Sequence, residues 1–146
     1  MDFKEIPDWW PVCGNGKCPK AGDCLRHVAW LSVPPTVTQW ACVMPTALQN
    51  GECRYYTKNE KARMARGFDS MFARVRSRDA RVEMRLAITD YLGSKGTYYR
   101  YKHGERLLSP EQQQWILQLF SSYGFDVGDL QFDEYIMTYN YKDVSR

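Results

Sequence analysis

Five cysteines lie within the first 53 residues, and the rest of the chain has none. Three of them follow the spacing Cys13-x4-Cys18-x5-Cys24, with glycines and a proline in the intervals. Because such intervals let the backbone turn tightly, several sulfurs can surround one point, as thiolates around a metal ion or as paired disulfides. The spacing therefore predicts a metal knuckle or a disulfide knot. A catalytic cysteine is disfavoured, since no Asp or Asn at a recognisable spacing accompanies either histidine.

A tetrahedral zinc site needs one more ligand than this trio supplies, and the sequence offers Cys42, Cys53 and His27. Cys53 is favoured because it comes just after the Asn50-Gly51 turn, which can present a sulfur outward. Cys42 lies in an apolar run and is expected to behave as a small core residue. The predicted metal ligands are Cys13, Cys18, Cys24 and Cys53. Zinc is the expected ion, an iron–sulfur cluster is the alternative, and buried free thiols are the competing interpretation.

Composition places the chain among ordinary globular proteins. It has 146 residues, of which 25% are charged and 14% aromatic, and this excludes a disordered chain. The first ten residues lack the basic start and apolar stretch of a signal peptide, and no apolar run approaches the length of a membrane span. We therefore expect a cytoplasmic bacterial protein in a reducing compartment, where clustered cysteines bind metal or stay free more often than they form disulfides.

Positive charge is concentrated in the middle of the chain. The net charge is −1 over residues 1–53, +8 over residues 54–106 and −4 over residues 107–146. A segment of this kind favours a polyanionic partner, with a solvated basic face as the alternative. The side chains expected to meet phosphates are Lys58, Lys61, Arg63, Arg66, Arg74, Arg76 and Arg78.

The elements that must hold the cysteines are short. Residues 24–30 predict a helix, and residues 36–44, rich in β-branched and aromatic side chains between prolines, predict a strand. Asn50-Gly51 predicts a turn. Residues 54–57 predict a second, shorter strand.

After Asn59 the hydrophobic period becomes helical. An apolar stripe on a basic background predicts a helix that Asn59 caps, through Met64, Phe68, Met71, Phe72 and Val75. A second helix is expected between a cap at Asp79 and a stop at Gly93, and a third over residues 97–102.

The strongest local signal is Ser109-Pro110-Glu111-Gln112, which has the cap, first-turn proline and third-position Gln of a capping box. It predicts a helix that ends at Gly124. Residues 133–139 are predicted as a short strand or a last helical turn.

Residues 92–106 resemble the turn and recognition helix of repressors of the lambda-repressor/Cro type, within a helix-turn-helix over residues 81–124. The matching residues are Leu92, Gly93, Ser94, Thr97, Arg100, Tyr101, Gly104 and Arg106. The apolar residue that follows the turn glycine in that family is absent, and Thr89 replaces a small Ala. In that family the short helix enters the major groove. The resemblance implies DNA contacts from Ser94, Lys95, Thr97, Tyr98, Arg100 and Lys102.

A second resemblance covers most of the chain. Cys18-Pro19, Cys24-Leu25-Arg26, Cys53-Arg54-Tyr55-Tyr56 and Gly104-Glu105-Arg106 are similar to an uncharacterised family of small proteins from gut anaerobic bacteria. The resemblance implies no activity. It marks Cys18, Cys24 and Cys53 as the shared cysteines.

Together these patterns predict an α+β protein, mainly α. A Cys-rich, metal-binding lobe over residues 1–57 is expected to pack on a helix-turn-helix-like unit over residues 58–146. The predicted function is DNA binding in transcriptional regulation, with zinc in a structural role and no catalysis. The alternative is an adaptor whose degenerate helix-turn-helix unit binds another protein. Oligomeric state is left open.

Overall fold

The chain is described here by a computed structural model covering residues 1–141 and Val144. It has the predicted α+β class, with five α-helices and two two-stranded sheets in the described residues. The chain divides into two compact units. The Cys-rich unit consists of Met1–Lys61 and the segment that starts at Tyr139, and the helical unit is Ala62–Thr138. No helix in the described part is long and apolar enough to cross a membrane.

The Cys-rich unit contains little regular structure. Helix α1 is Leu25–Leu31, and strands β1 (Leu48–Gln49) and β2 (Glu52–Cys53) form an antiparallel hairpin. Asn50 and Gly51 have φ values of 53° and 78°, as a tight hairpin turn requires. The predicted helix and turn are therefore confirmed. The buried cluster of this unit is small, comprising Ile6, Trp10, Val12, Leu25 and Ala29.

Both strands predicted in this unit are wrong. Residues 36–44 are irregular apart from a single parallel bridge between Cys42 and Val12. β-Branched residues favour a strand only where a neighbour pairs and covers them, and here no described strand does. Residues 54–57 leave the hairpin in a turn, in which the Tyr56 N–H donates to the Cys53 carbonyl at 3.1 Å.

The helical unit holds the larger core. Strand β3 is Lys61–Arg66, α2 is Asp69–Phe72, α3 is Arg78–Leu92 and α4 is Lys95–Lys102. Helix α5 is Pro110–Ser122, and β4, Glu134–Tyr139, pairs with β3. The fully buried side chains include Phe68, Met84, Ile88, Leu108, Ile116 and Phe120.

The helix predicted from Asn59 is wrong. Its first part is strand β3, and Gly67, at φ 72°, ends the strand before the single turn of α2. The stripe is nevertheless mostly buried, with Met64, Met71 and Val75 at most 2% exposed. The prediction failed because strand and helix can both bury these residues, and pairing with distant β4 decides between them.

The later helices agree with the sequence. Ser109 accepts the Gln112 N–H at 3.2 Å while the Gln112 side chain accepts the Ser109 N–H at 2.9 Å, so the predicted capping box is present. Helix α3 starts slightly earlier than predicted, because Ser77 rather than Asp79 is its cap. Helix α4 begins at Lys95, two residues before the predicted start. Residues 133–139 contain a strand, one of the two predicted alternatives.

Candidate functional site

Four cysteines line one small cavity in the Cys-rich unit. They are Cys13, Cys18, Cys24 and Cys53, and His27 and Arg26 line the same space. The cavity has a volume of about 30 Å³, which is enough to admit a molecule the size of water. The four sulfur-bearing residues predicted as ligands thus come from separate parts of the first 53 residues and share one cavity.

Each cysteine is held by its own local backbone structure. The Cys13 N–H donates to the Arg26 carbonyl at 3.0 Å, which fixes the first segment against α1. Cys18 closes a turn on the Asn15 carbonyl at 3.3 Å. Cys24 is the residue that caps α1, and Cys53 ends the β1–β2 hairpin. Turn, helix cap and hairpin end therefore bring the cysteines together.

The thiols interact electrostatically. Burial is the largest cause of a raised pKa at Cys13, and a hydrogen bond with the Asn15 backbone acts in the opposite direction. Negative charge on Cys24, Cys53 and Cys18 raises the Cys13 pKa further. The four groups are thus near enough for a thiolate on one to disfavour a thiolate on the next.

Arg26 supplies a buried positive charge beside these thiols. It is 1% exposed, donates to the carbonyl oxygens of Tyr55 and Pro11 at 2.7 Å each, and lies 4.2 Å from the Trp10 ring centroid. Burial lowers its pKa to about 10, and nearby Cys24, Cys53 and Cys13 act in the opposite direction. The guanidinium therefore stays charged at neutral pH.

Of the other two candidate ligands, His27 lines the cavity and Cys42 does not. The His27 Nδ1 is 2.9 Å from the Cys13 carbonyl oxygen. If Nδ1 carries the proton, Nε2 keeps a lone pair at the cavity. Cys42 is exposed and lies away from the cavity lining, so the expectation of a small core residue is wrong.

The thiols are not arranged around an ion. Among the described residues, no three His, Cys, Asp or Glu side chains form a group that could hold a metal. All five cysteines are free of disulfides. The four cysteines predicted as ligands thus line the cavity. A tetrahedral metal site would require their side chains to turn toward a common centre.

The residues predicted to meet DNA on α4 lie in different environments. Lys95 and Arg100 are exposed. Ser94 is also exposed, but its hydroxyl caps the helix by accepting the Thr97 N–H at 3.1 Å. Lys102 pairs with Asp69 at 3.0 Å.

Tyr98 lies in the core rather than on the DNA-facing side of α4. It is 3% exposed, and its ring centroid is 5.5 Å from that of Phe68. This position does not fit the implied contact with base edges. The exposed side of α4 instead adds Tyr99 and His103, whose rings stack at 5.7 Å.

The basic residues before α4 are partly occupied by other contacts. Arg63 stacks on the Tyr135 ring at 3.8 Å, and Arg66 pairs with Glu134 at 3.1 Å. Arg74 donates to the Asp129 carbonyl at 2.5 Å. The two left exposed, with no partner in the described part of the chain, are Arg76 and Arg78.

Sequence reasoning missed two arginines of α3. Arg81 and Arg85 are exposed and line a cleft next to α4. They are four residues apart, so they lie on one face of the helix. Their spacing of four residues within a predicted helix was the signal in the sequence that could have identified them.

A family model described as a family of unknown function (DUF6078) matches residues 1–141. No curated protein and no solved structure matches the chain. The family match confirms the coarser part of the second resemblance, an uncharacterised family. It does not bear on gut anaerobes or on the repressor-type helix-turn-helix.

Proposed function

The chain belongs to the DUF6078 family, and we propose that it is a metal-binding protein in which Cys13, Cys18, Cys24 and Cys53 hold a structural zinc ion. The observation that carries this proposal is that all four cysteines line one cavity of about 30 Å³. Thiolate sulfurs are the usual ligands of structural zinc, in a closed tetrahedral set.

The size of the Cys-rich unit supports a metal. Its cluster has only five buried residues, although the unit spans Met1–Lys61 and a further segment. Below about 70–80 residues an apolar core rarely supplies more than about 3–5 kcal/mol, and small domains often add disulfides or a metal. A metal bound by the cysteines that share the cavity would add this stability.

The buried positive charge of Arg26 supports zinc bound by four thiolates in this cavity. A set of four thiolates around Zn²⁺ carries a net charge of −2, and buried Arg26 reduces the cost of that charge. A cysteine has a single side-chain torsion, so a change of rotamer is enough to redirect each sulfur. Structural zinc contributes about 10–16 kcal/mol of apparent binding free energy, which exceeds the cost of such rearrangements.

A full set of four sulfurs leaves no open coordination position, so we assign the ion a structural role and no catalysis. An iron–sulfur cluster uses the same ligands and is the alternative. His27 could replace one sulfur through Nε2, which would leave one of the four cysteines dispensable.

The test is metal content of the chain purified without a metal-binding tag under reducing conditions. We expect one zinc per chain in the wild type and in Cys42→Ser, the matched control. Each of Cys13→Ser, Cys18→Ser, Cys24→Ser and Cys53→Ser should lose the metal. Substitution by Co²⁺ should give the visible absorption of a tetrahedral thiolate site.

Three results would change the proposal. A wild-type chain free of metal rejects it. Iron and sulfide in place of zinc point to a cluster. Retention of zinc by one of the four serine variants, with loss in His27→Ala, assigns a site of three sulfurs and one imidazole.

A second candidate function is DNA binding by the helical unit. It is favoured by the exposed side of α4, where Lys95, Tyr99, Arg100 and His103 follow one another at helical spacing. Helix α4 follows α3 after only Gly93 and Ser94, as in a compact helix-turn-helix. A short exposed helix with cations is suited to contacts with phosphates and base edges.

The test is binding of the zinc-loaded chain to duplex DNA at two salt concentrations. Wild-type affinity should fall as salt rises, because bound cations release counterions from DNA. Lys95→Gln should weaken binding to all sequences, whereas Arg100→Gln should also change the preferred sequence. Absence of binding at low salt would reject this function and favour a protein partner.

A further inference from the structure

Two adjoining clefts lie beside α3 and α4 in the helical unit. One, of about 410 Å³, is lined by residues of α2, α3 and α4, and the other, of about 350 Å³, by residues of α3 and α4. Arg85 and Tyr98 line both. They share no lining residue with the cysteine cavity, and Lys95 and Tyr99 from the exposed side of α4 line one of them.

The clefts are strongly basic. Arg81, Arg85 and Lys102 line the first cleft, and Lys95 lines the second. Asp69 is the one acid in these linings, and it pairs with Lys102 at 3.0 Å. Four cations facing one carboxylate make the clefts attractive to an anion.

Two of these cationic side chains make no polar contact within the described residues. Neither the Arg85 nor the Lys95 side chain has a hydrogen-bond or ion-pair partner there. Arg81 is anchored instead, since its Nε donates to the Val75 carbonyl at 2.5 Å. The guanidinium of Arg81 is therefore held in place, whereas that of Arg85 is not, and the two residues lie one helical turn apart on α3.

Tyr98 adds a neutral donor to the lining of both clefts. It is 3% exposed, yet no hydrogen-bond partner for its hydroxyl lies in residues 1–141 or at Val144. Burial raises its pKa to about 12, while the Arg85 charge acts in the opposite direction. The hydroxyl therefore stays protonated at neutral pH and can donate to a ligand. Since the hydroxyl belongs to a residue that lines both clefts, it is available to a ligand there.

We propose that these clefts bind a phosphate group, with Arg81, Arg85, Lys95 and Lys102 balancing its charge and Tyr98 donating a hydrogen bond. Arginine forks match the oxygens of phosphate in pairs. The phosphate comes from one of two sources, a nucleic-acid backbone or a free phosphorylated compound. A nucleic-acid source rests on the DNA-binding function proposed above. A free phosphorylated compound does not depend on that function.

The test measures binding of inorganic pyrophosphate to the full zinc-loaded chain by calorimetry, and of a labelled DNA duplex by fluorescence anisotropy. The variants are Arg81→Gln/Arg85→Gln and Tyr98→Phe. The control, Lys4→Gln/Arg54→Gln, removes the same charge from the Cys-rich unit. Arg81 and Arg85 are exposed, and the Tyr98 hydroxyl makes no hydrogen bond in the described residues, so these variants should keep the fold. Circular dichroism checks this, in particular for loss of the hydrogen bond from Arg81 to the Val75 carbonyl.

We expect the wild type and the control to bind pyrophosphate alike. Loss of a charge-assisted hydrogen bond lowers affinity about tenfold, so the double arginine variant should bind at least that much more weakly. Tyr98→Phe should weaken pyrophosphate binding about threefold to tenfold. Absence of pyrophosphate binding by the wild type at millimolar concentration, or equal binding by the double arginine variant, overturns the proposal.

The DNA arm separates the two sources. Loss of duplex and pyrophosphate binding together in the arginine variant assigns the clefts to the nucleic-acid backbone. Loss of pyrophosphate binding with duplex binding intact assigns them to a free phosphorylated compound. Pyrophosphate binding by a wild type that does not bind DNA gives the same assignment and rejects the DNA function alone.

Discussion

At the scale of single residues, Arg26 links the sulfur cavity to the small core of the Cys-rich unit. Its guanidinium contacts the Trp10 ring and two carbonyl oxygens, and its side chain is 1% exposed. A lysine in its place would keep the charge, but it lacks the planar fork that reaches two carbonyls and stacks on an indole ring. Arg26 therefore orients the segments that carry the cysteines.

Replacing Arg26 by Met should destabilise the protein. The substitution leaves the Tyr55 and Pro11 carbonyls without a charged donor, and we expect a loss of about 3 kcal/mol in the free energy of unfolding. Arg26→Lys should fall between the wild type and Arg26→Met. Urea denaturation of the zinc-loaded chain, followed by circular dichroism, measures the change.

Arg54→Met is the matched control for this prediction, because Arg54 in the same unit is exposed and its contacts, including a 3.0 Å hydrogen bond to the Val144 carbonyl, lie at the surface. Its effect should stay within about 0.5 kcal/mol. Equal stability of Arg26→Met and Arg54→Met would show that the buried guanidinium does not hold the unit together.

At the scale of elements, the sequence predicted those whose signals are local. The capping box at Ser109 and the turn at Asn50-Gly51 depend on residues within four positions of each other, so no distant contact could change them. The strands are different. Strand β3 forms because β4, about seventy residues later, pairs with it, and one sequence alone does not reveal that partner.

The sequence was enough to predict which cysteines belong to the candidate site. It was not enough to predict how the surrounding residues are packed. The glycines and the proline between Cys13 and Cys24 indicated that the sulfurs can converge, and the four cysteines do line one cavity. The buried charge at Arg26 could not be foreseen, since burial of Arg depends on packing with distant Trp10 and Tyr55. The cleft arginines Arg81 and Arg85 were hidden among many other basic residues.

At the scale of the whole molecule, the two units have separate buried clusters and should respond differently to metal removal. We expect a chelator to release zinc and to increase amide hydrogen exchange in α1 and the β1–β2 hairpin. Exchange in α3 and α5 should change little, because their core contains no cysteine. Hydrogen exchange with mass spectrometry, before and after chelation, measures both.

Cys42→Ser treated in the same way is the control and should behave like the wild type. Faster exchange in both units after chelation would contradict independent cores. Unchanged exchange in α1 would contradict a structural role for the metal.

The Cys-rich unit is discontinuous, since Tyr139 and Tyr141 pack against the cluster of Trp10 and Leu25. A ribosome synthesises the chain from the amino end, so every residue of Ala62–Thr138 is made before those two tyrosines exist. The unit that is begun first is consequently the last to be completed. During translation, its sulfurs emerge long before the aromatic rings that cover their neighbours.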